Sequence, residues 1–285
     1  MAQPKDPFDI TLEDHAREVL RWREGRKARL RAEKGWLALV GKVWLTPGRH
    51  RIGSAAGSEI LLPAGRAPDR VGTLTFEQRV ATLDADPSVD LRARGERVRS
   101  MVLRSDAEKD PDHVTLGSLT LELIRRGDDF AIRIRDALNP ARLSFGGVPT
   151  YDVDPSWRVA ARFDAFAEPR EVVFDDTDGR PQNYIAPGVA SFERDGASCR
   201  LLPVFEGDRK RLFVLFSDLT NHDETYGAGR FVYAPLPEDG RVLIDFNMAF
   251  NPPCSFTPYA VCPLPPHENR LAVRVEAGEK RPPEH

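Results

Sequence analysis

Residues 114–135, VTLGSLTLELIRRGDDFAIRIR, decide the fold class of the chain. Apolar and polar residues alternate in two runs, which are separated by the turn-forming cluster Arg126-Gly127-Asp128-Asp129. A period of two places successive side chains on opposite faces of an extended strand. The stretch therefore predicts two β-strands joined as a hairpin.

Short runs with strand-like composition occur on both sides of this hairpin, with turn residues between them. They lie at residues 36–40, 42–45, 50–52, 59–62, 72–76, 79–83, 89–93, 101–103, 157–166, 171–174, 188–194, 197–203, 211–217, 230–234, 241–247 and 271–276. Short strands at such close intervals are typical of β-sandwiches and β-barrels.

One segment near the N-terminus instead predicts a helix. Thr11 suits the N-cap position, Glu13 and Asp14 place negative charge in the first turn, and Gly35 suits the C-terminal end. The predicted fold class is therefore mainly β, with one N-terminal helix followed by two β units. The first unit is predicted to be a sandwich, and the second a barrel-like or sandwich domain.

Turn residues become more frequent around Asn139-Pro140 and Gly146-Gly147, which indicates a domain boundary there. We predict an N-terminal helical segment at 1–35, a β-sandwich domain at 36–148 and a second β domain at 149–285. The second domain contains a long proline-rich loop at 247–270. One continuous core shared by both β units is the alternative.

Composition limits the partners and the compartment. The chain has 285 residues and a net charge of −3, so it offers no global electrostatic case for nucleic acid or a membrane surface. It has no apolar run of the ~18 residues that a membrane span needs, and no signal-peptide core at its N-terminus. Three cysteines are too few, and odd in number, for a secreted disulfide scaffold. We expect a cytoplasmic protein, and its oligomeric state stays open.

The second β domain is predicted to carry a polar face. The dipeptide Asp239-Gly240 between two strand-like runs predicts a tight hairpin. Along residues 241–247, Asp245 and Asn247 share one face of the strand, while alternate apolar residues share the other. A carboxylate and an amide would therefore lie side by side.

The turn length decides which residue faces the carboxylate. A two-residue turn pairs Ala234 with Asp245 and brings Arg230 diagonal to Asn247, whereas a three-residue turn pairs Tyr233 with Asp245. We favour the two-residue turn, because it gathers Arg230, Asp245 and Asn247 on one face.

A long loop follows this face. Residues 252–269 contain six prolines, and connections of this length are usually functional or disordered. Proline lowers the entropy of the open chain, and Phe256, Tyr259 and Leu264 can fix the loop to a core. The loop is therefore predicted to be an ordered wall over a polar site.

Together these features predict a site for a small polar or anionic molecule, with Arg230 as the clamp for an anionic or carbonyl group. If the protein is an enzyme, Asp245 or Glu268 is the candidate general base. The alternative is a buried structural network that anchors the loop. The candidate ligand-binding residues are Tyr226, Arg230, Asp245, Asn247, Asn251, Glu268 and Asn269.

The cysteines of the loop allow a different hypothesis. Cys254, Cys262 and His267 could be ligands of a structural metal, with a fourth ligand from His222 or Asp223. The close Cys-x-x-Cys pair of typical zinc sites is absent, however, so no cofactor is clearly implied. Two small buried hydrophobic residues, or a disulfide, are the other interpretations of the two thiols.

Most of the chain resembles a known family. The motifs that carry the resemblance are Trp36-Leu-x-Leu-Val-Gly41, Trp44-Leu45, Gly53-Ser54, Ile60-x-Leu-Pro63, Arg135-Asp-x-x-Asn-Pro-Ala-Arg142, Phe145-x-Gly147, Glu224-Thr-Tyr-Gly-x-Gly-Arg230, Asp245-Phe-Asn-x-Ala-Phe-Asn-Pro-Pro-Cys254, Cys262-Pro-Leu-Pro-Pro-x-Glu-Asn269 and Ala277-Gly-Glu-Lys280. They are similar to the bacterial and archaeal domain of unknown function 1684, from about residue 36 to residue 280. This resemblance implies no particular activity.

A shorter resemblance lies in the first β domain. Gly48-Arg-His-Arg-Ile-Gly-Ser54, followed by Ser58-Glu-Ile-Leu-Leu62, resembles the opening strands of a forkhead-associated sandwich. Such domains hold phosphothreonine with an Arg just after the glycine and with a Ser-x-x-His unit downstream. Here Ser54 stands in place of that Arg, and no Ser-x-x-His follows in residues 63–80. The resemblance therefore implies a protein-interaction module without the phosphothreonine residues.

Overall fold

The computed structural model describes residues 10–207 and 209–283. Contacts divide the chain into two compact units, Arg29–Phe145 and a second unit formed by Met1–Ala28 with Gly146–His285. We call the first the sandwich unit and the second the curled-sheet unit. The domain limits given above remain predictions. No helix in the described part of the chain is long and apolar enough to cross a membrane.

The chain is mainly β, as predicted, and begins with one long helix, α1 (Leu12–Arg31). The sandwich unit then contains β1 (Leu39–Trp44), β2 (Gly48–Gly53), β3 (Ile60–Leu61), β4 (Gly72–Glu77), β5 (Val80–Ala85), β6 (Arg92–Ala93), β7 (Glu96–Arg97), β8 (Ser100–Val102), β9 (His113–Leu116), β10 (Leu119–Arg126), β11 (Asp129–Asp136) and the short helix α2 (Pro140–Leu143).

Two sheets form the sandwich unit, in the orders β1-β11-β10-β9-β6-β7 and β3-β2-β4-β5-β8. The predicted hairpin is confirmed, because β10 and β11 pair antiparallel from Arg126 opposite Asp129. One core joins both sheets, with Leu74 from one sheet and Leu121 and Ile132 from the other. The sequence at 36–40 does not begin as a strand, since Trp36–Ala38 is a 3₁₀ turn.

The curled-sheet unit contains β12 (Arg158–Asp175), β13 (Pro181–Arg194), β14 (Ala197–Leu201), β15 (Val204–Phe205), β16 (Leu212–Phe216), β17 (Arg230–Ala234) and β18 (Arg241–Asp245). Their order is β17-β16-β15-β13-β12-β18, with β14 paired to β13, and the sheet curls into a half-barrel. The pairing of β12 with β13 shifts between Ala165 and Arg170, and such irregularities bend strands. Gly188 makes the close approach possible, because a Cβ there would lie 2.7 Å from the ring of Phe163.

The hairpin predicted between β17 and β18 is wrong. The two-residue turn itself forms: Glu238 and Arg241 exchange both backbone hydrogen bonds at 2.9 Å around Asp239 and Gly240, which have positive φ. Beyond it the ladder ends, because Pro235 and Pro237 have no N–H to donate. Strand β17 pairs with β16, and β18 pairs with β12.

Residues 271–276, predicted as the last strand, have no strand structure. The alternating apolar residues nevertheless all lie in the core: Leu271, Val273, Val275 and Ala277 are buried. Their segment is held by other means, such as the hydrogen bonds from Leu271 to the carbonyl of Ser217 at 2.8 Å and from Leu219 to the carbonyl of Val273 at 3.1 Å. The pattern therefore predicted burial correctly but predicted the wrong backbone pairing.

The first part of α1 packs on the curled sheet. The ring of Trp22 lies 6.1 Å from that of Phe250, and the guanidinium of Arg26 lies 4.7 Å from the same ring. Arg26 also forms a buried ion pair with Glu279 at 3.1 Å. Both apolar area and charge pairing therefore fix residues 12–28 in this unit.

Candidate functional site

Asp245 lies beside helix α1 rather than beside Arg230 or Tyr233. One carboxylate oxygen, Oδ2, is 2.6 Å from Nε2 of His15, a side chain that is 1% exposed. The other, Oδ1, accepts hydrogen bonds from the main-chain N–H and the side-chain amide of Asn247, both at 3.0 Å. Both oxygens of this candidate base are therefore bonded within the protein. Sequence reasoning missed His15, although its position four residues before the buried Val19 marks the packed face of the helix.

Asn247 and Asn251 are both 0% exposed and both join distant segments of chain. The side chain of Asn247 accepts from the N–H of Asp154 at 2.9 Å and donates to its carbonyl at 2.8 Å. Asn251 donates its side-chain amide to the carbonyl of Lys280 and its main-chain N–H to Glu279, each at 2.7 Å. These contacts fasten the chain around the start of the long loop.

Arg230 is also completely buried, at 0% exposure. Its guanidinium donates to Asp218 at 2.8 Å, and to the carbonyls of Val275 at 2.8 Å, Ala277 and Glu279. These acceptors satisfy a charge that would be very costly to bury alone. The predicted clamp thus holds the segment 275–279 against β17.

Asp218, which sequence reasoning did not select, is the anionic partner of Arg230. Its other oxygen accepts from the main-chain N–H of Thr220 at 2.9 Å, the hydroxyl of the same residue at 2.6 Å, and the N–H of Val275 at 3.1 Å. The side chain has no exposed area. Its place just after the fully buried strand β16 is the signal that could have identified it.

The end of the long loop is fixed by Asn269. Its side chain accepts from the N–H of Leu202 at 2.6 Å and donates to the carbonyl of Leu215 at 2.7 Å, with complete burial. Its neighbours Glu268 and His267 are exposed. The candidate base Glu268 and the buried polar residues therefore occupy different environments.

The loop is ordered through its middle as well. Phe256 is 4% exposed, Cys262 is 1% exposed, and Leu264 donates its N–H to the carbonyl of Asp175 at 2.8 Å. In the described residues, no group of three or more His, Cys, Asp or Glu side chains is placed to hold a metal ion. The metal site that the spacing of Cys254, Cys262 and His267 allowed stays a prediction.

Tyr226 contacts the thiols instead. Its hydroxyl donates to Sγ of Cys254 at 3.7 Å, and the main-chain N–H of Cys254 donates to Sγ of Cys262 at 3.1 Å. Burial, followed by the neighbouring Cys254, raises the pKa of the Tyr226 phenol. The tyrosine is therefore a protonated donor near neutral pH.

Glu224 forms a surface cluster next to these residues. It accepts from the hydroxyl of Tyr151 at 2.9 Å, from Lys280 at 3.1 Å and from Arg274 at 2.9 Å. The hydrogen bond from Tyr151 and then that from Lys280 hold the pKa of Glu224 below its ordinary value. The Glu224 and Lys280 motifs thus meet in space.

A pocket of about 560 Å³ opens beside Asp218. None of the seven predicted ligand-binding residues lines it, although Tyr226 and Asn269 each precede a wall residue in the chain. Its floor and walls are largely apolar, and the side chains of His222 and Arg270 make no hydrogen bond or ion pair within the described ranges 10–207 and 209–283. Its lining includes Leu219, His222, Leu264, Pro265, Arg270 and Leu271.

Comparison with known proteins adds a family model and three solved structures. The model of a protein of unknown function, DUF1684, matches residues 143–280, so residues 36–142 of the sequence resemblance lie outside the matched range. The solution structure of an uncharacterized protein from locus rrnAC0354 of Haloarcula marismortui has 34% identity and a TM-score of 0.42, covering 50% of this chain and 81% of that chain. No curated protein matches.

Two further similar structures contain forkhead-associated domains or bind phosphopeptide. The FHA-2 domain of the Mycobacterium tuberculosis ABC transporter Rv1747 has 27% identity and a TM-score of 0.25, covering 31% of this chain and 77% of that chain. Mycobacterium tuberculosis EmbR, solved with a low affinity phosphopeptide, has 13% identity and a TM-score of 0.22, covering 45% of this chain and 33% of that chain.

Proposed function

We propose that the curled-sheet unit of this chain, a member of the DUF1684 family of proteins of unknown function, binds a small molecule with an apolar body and an anionic group. The binding site is the pocket beside Asp218. One observation carries the proposal: Arg270 and His222 stand at a largely apolar pocket without partners of their own in the described part of the chain.

The electrostatics of the pocket support an anionic ligand. Its one carboxylate, Asp218, is neutralised by Arg230 at 2.8 Å and has no exposed side-chain area, so it repels a ligand anion little. The guanidinium of Arg270 can donate two parallel hydrogen bonds to a carboxylate or a phosphate. We assign Arg270 as the anchor of the anionic group and His222 as a second polar contact.

The apolar walls support a ligand with a hydrophobic body. The apolar side chains of Leu219, Leu264, Pro265 and Leu271 line a volume of about 560 Å³. Pockets for small molecules commonly measure about 300–1,000 Å³ and combine apolar walls with a few polar groups. The pocket therefore suits an organic anion better than an inorganic one.

The buried polar residues support this site indirectly by fixing its walls. Asn269 holds the chain just before Arg270, and Arg230 holds Asp218. Gly229, at φ +93°, lets the loop approach so closely that a Cβ there would lie 2.6 Å from Cγ of Pro265. A wall fixed in this way costs little ordering entropy when a ligand binds.

The experiment uses 8-anilinonaphthalene-1-sulfonate, a fluorescent anion with an apolar body, as the probe. We expect Arg270→Met to weaken its binding about tenfold or more, since a charge-assisted hydrogen bond is lost. Arg49→Met, an exposed arginine of the sandwich unit, is the matched control and should bind as the unchanged protein does. Equal affinity of the two variants would remove the pocket from consideration, provided that both melt at the same temperature as the parent.

A second candidate function is protein interaction through the sandwich unit. A groove of about 600 Å³ is lined by four arginines, Arg94, Arg97, Arg99 and Arg104, together with the carboxylates Glu96 and Asp112. The excess of positive charge favours an acidic peptide. A fluorescein-labelled glutamate-rich peptide should bind the full chain with an affinity that falls as salt rises, and Arg99→Met should weaken it while Arg49→Met should not. Absence of binding at low salt would end this candidate.

A further inference from the structure

Two cysteines of the long loop are in direct contact. The main-chain N–H of Cys254 donates to Sγ of Cys262 at 3.1 Å. Both cysteines are free thiols in this structure. They are separated by seven residues of an ordered loop, so the contact is a fixed feature of the fold.

The two thiols have different environments. Cys254 is partly exposed, whereas Cys262 is 1% exposed. Cys254 receives a hydrogen bond from the hydroxyl of Tyr226 at 3.7 Å. A partly exposed cysteine with a hydroxyl donor directed at its sulfur is the arrangement of a reactive thiol, because the thiolate is the nucleophile and the donor stabilises it.

Electrostatics agree with this division of roles. The neighbouring thiol of Cys262, and then the hydrogen bond from Tyr226, lower the pKa of the Cys254 thiol. The same contact with Cys254, together with burial, raises the pKa of Cys262. One sulfur is therefore disposed to lose its proton while the other keeps it.

We propose that Cys254 and Cys262 form a redox-active dithiol that a hydroperoxide converts into an intramolecular disulfide. Cys254 is the attacking thiolate, Cys262 is the resolving thiol, and Tyr226 is the donor that positions and stabilises the sulfur of Cys254. This site is independent of the pocket proposed above, because neither cysteine nor Tyr226 lines that pocket.

The chemistry has two balanced steps. The thiolate of Cys254 attacks the distal oxygen of the hydroperoxide ROOH: an S–O bond forms, the O–O bond breaks, and RO⁻ takes a proton to leave as ROH, while the sulfur becomes a sulfenic acid. The sulfur of Cys262 then attacks the sulfur of Cys254. Its thiol proton and the departing hydroxide form water, and the S–S bond closes. The peroxide receives the two electrons that the pair of sulfurs loses.

The first measurement is made on the full chain, fully reduced and then treated with hydrogen peroxide. We expect the intact mass to fall by two hydrogen atoms, and a non-reducing peptide map to link the Cys254 peptide to the Cys262 peptide. Dithiothreitol should reverse the change. A mass that rises by oxygen atoms without any linked peptide would overturn the proposal.

Variants test the roles. In Cys262→Ser, dimedone should trap a sulfenic acid on Cys254, while in Cys254→Ser the remaining Cys262 should not react. Tyr226→Phe should slow formation of the disulfide several-fold. Cys199→Ser is the matched control, since Cys199 is buried and burial raises the pKa of its thiol, and it should oxidise as the parent does. Dimedone labelling of Cys262 or Cys199 at the rate of Cys254 would contradict the assignment. If a variant does not fold, the peptide map of the unchanged protein decides alone.

Discussion

Arg230 and Arg270 lie in the same unit and differ both in burial and in the partners of their side chains. Arg230 is 0% exposed and bonds to Asp218 and to three carbonyls. Arg270 is exposed and has no side-chain partner in the described part of the chain. The sequence analysis selected Arg230 because the predicted hairpin placed it on one face with Asp245 and Asn247, and it passed over Arg270.

Burial determines what the donors of an arginine can bond to. A buried guanidinium is tolerated only when protein acceptors replace water, so a buried arginine spends its donors inside the fold. A side chain that is to meet a ligand must keep donors available. In this chain the buried polar residues thus hold loops in place, whereas Arg270 and His222 at the pocket stay exposed.

The largest expected effect comes from breaking the buried ion pair. Arg230→Met should lower the free energy of unfolding by about 3–5 kcal/mol, because Asp218 is left buried without its charge partner. Arg270→Met should change it by less than about 0.5 kcal/mol. Urea denaturation of both variants measures the difference. A loss below about 1 kcal/mol for Arg230→Met would show that the buried arginine contributes little more to stability than an exposed one.

A double variant sharpens this test. Replacing both partners, as Arg230→Met with Asp218→Leu, removes the stranded charge along with the pair. The double variant should therefore lose less stability than the sum of the two single losses. Additive losses would mean that the two side chains stabilise the unit separately, through their main-chain contacts alone.

An intermediate effect is expected at Asn269. Asn269→Ala leaves the N–H of Leu202 and the carbonyl of Leu215 without their partners, which should cost about 2–3 kcal/mol. The exposed Asn183→Ala is the matched control and should stay within about 0.5 kcal/mol of the parent. Urea denaturation measures both, and similar midpoints for the two variants would show that the wall of the pocket does not depend on this amide.

The sequence predicted the local parts of the fold well. The hairpin of β10 and β11 follows from alternation and turn residues that are neighbours in the chain. The pairing of β17 and β18 depended on more than their shared turn: the prolines between them end the ladder, and partners distant in sequence, β16 and β12, take each strand instead. Local patterns determine strand formation, whereas pairing is decided by the whole sheet.

The candidate site was predictable to a similar degree. Burial, order of the long loop and the polar character of Asn247, Asn251 and Asn269 were visible in the sequence. The partners were not, since Arg230 meets Asp218 and Asp245 meets His15 from helix α1. Ion pairs between residues far apart in the chain have no spacing rule from which sequence reasoning could find them.

The smallest effect on stability is expected at Glu224, whose charged partners lie at the surface rather than in the core. The hydrogen bonds of Glu224 hold its pKa below the ordinary value of 4.5, so in the unfolded chain the carboxyl takes up its proton at a higher pH than in the folded protein. Its stabilising contribution is therefore fully present above about pH 4.5 and is lost as the pH falls through the lowered folded pKa.

Glu224→Gln should have a lower urea midpoint than the parent at pH 7, and this difference should shrink between pH 4.5 and pH 3. The exposed Glu238→Gln serves as the control. A difference that stays constant over this range would assign the stabilisation to the shape of the side chain rather than to its charge.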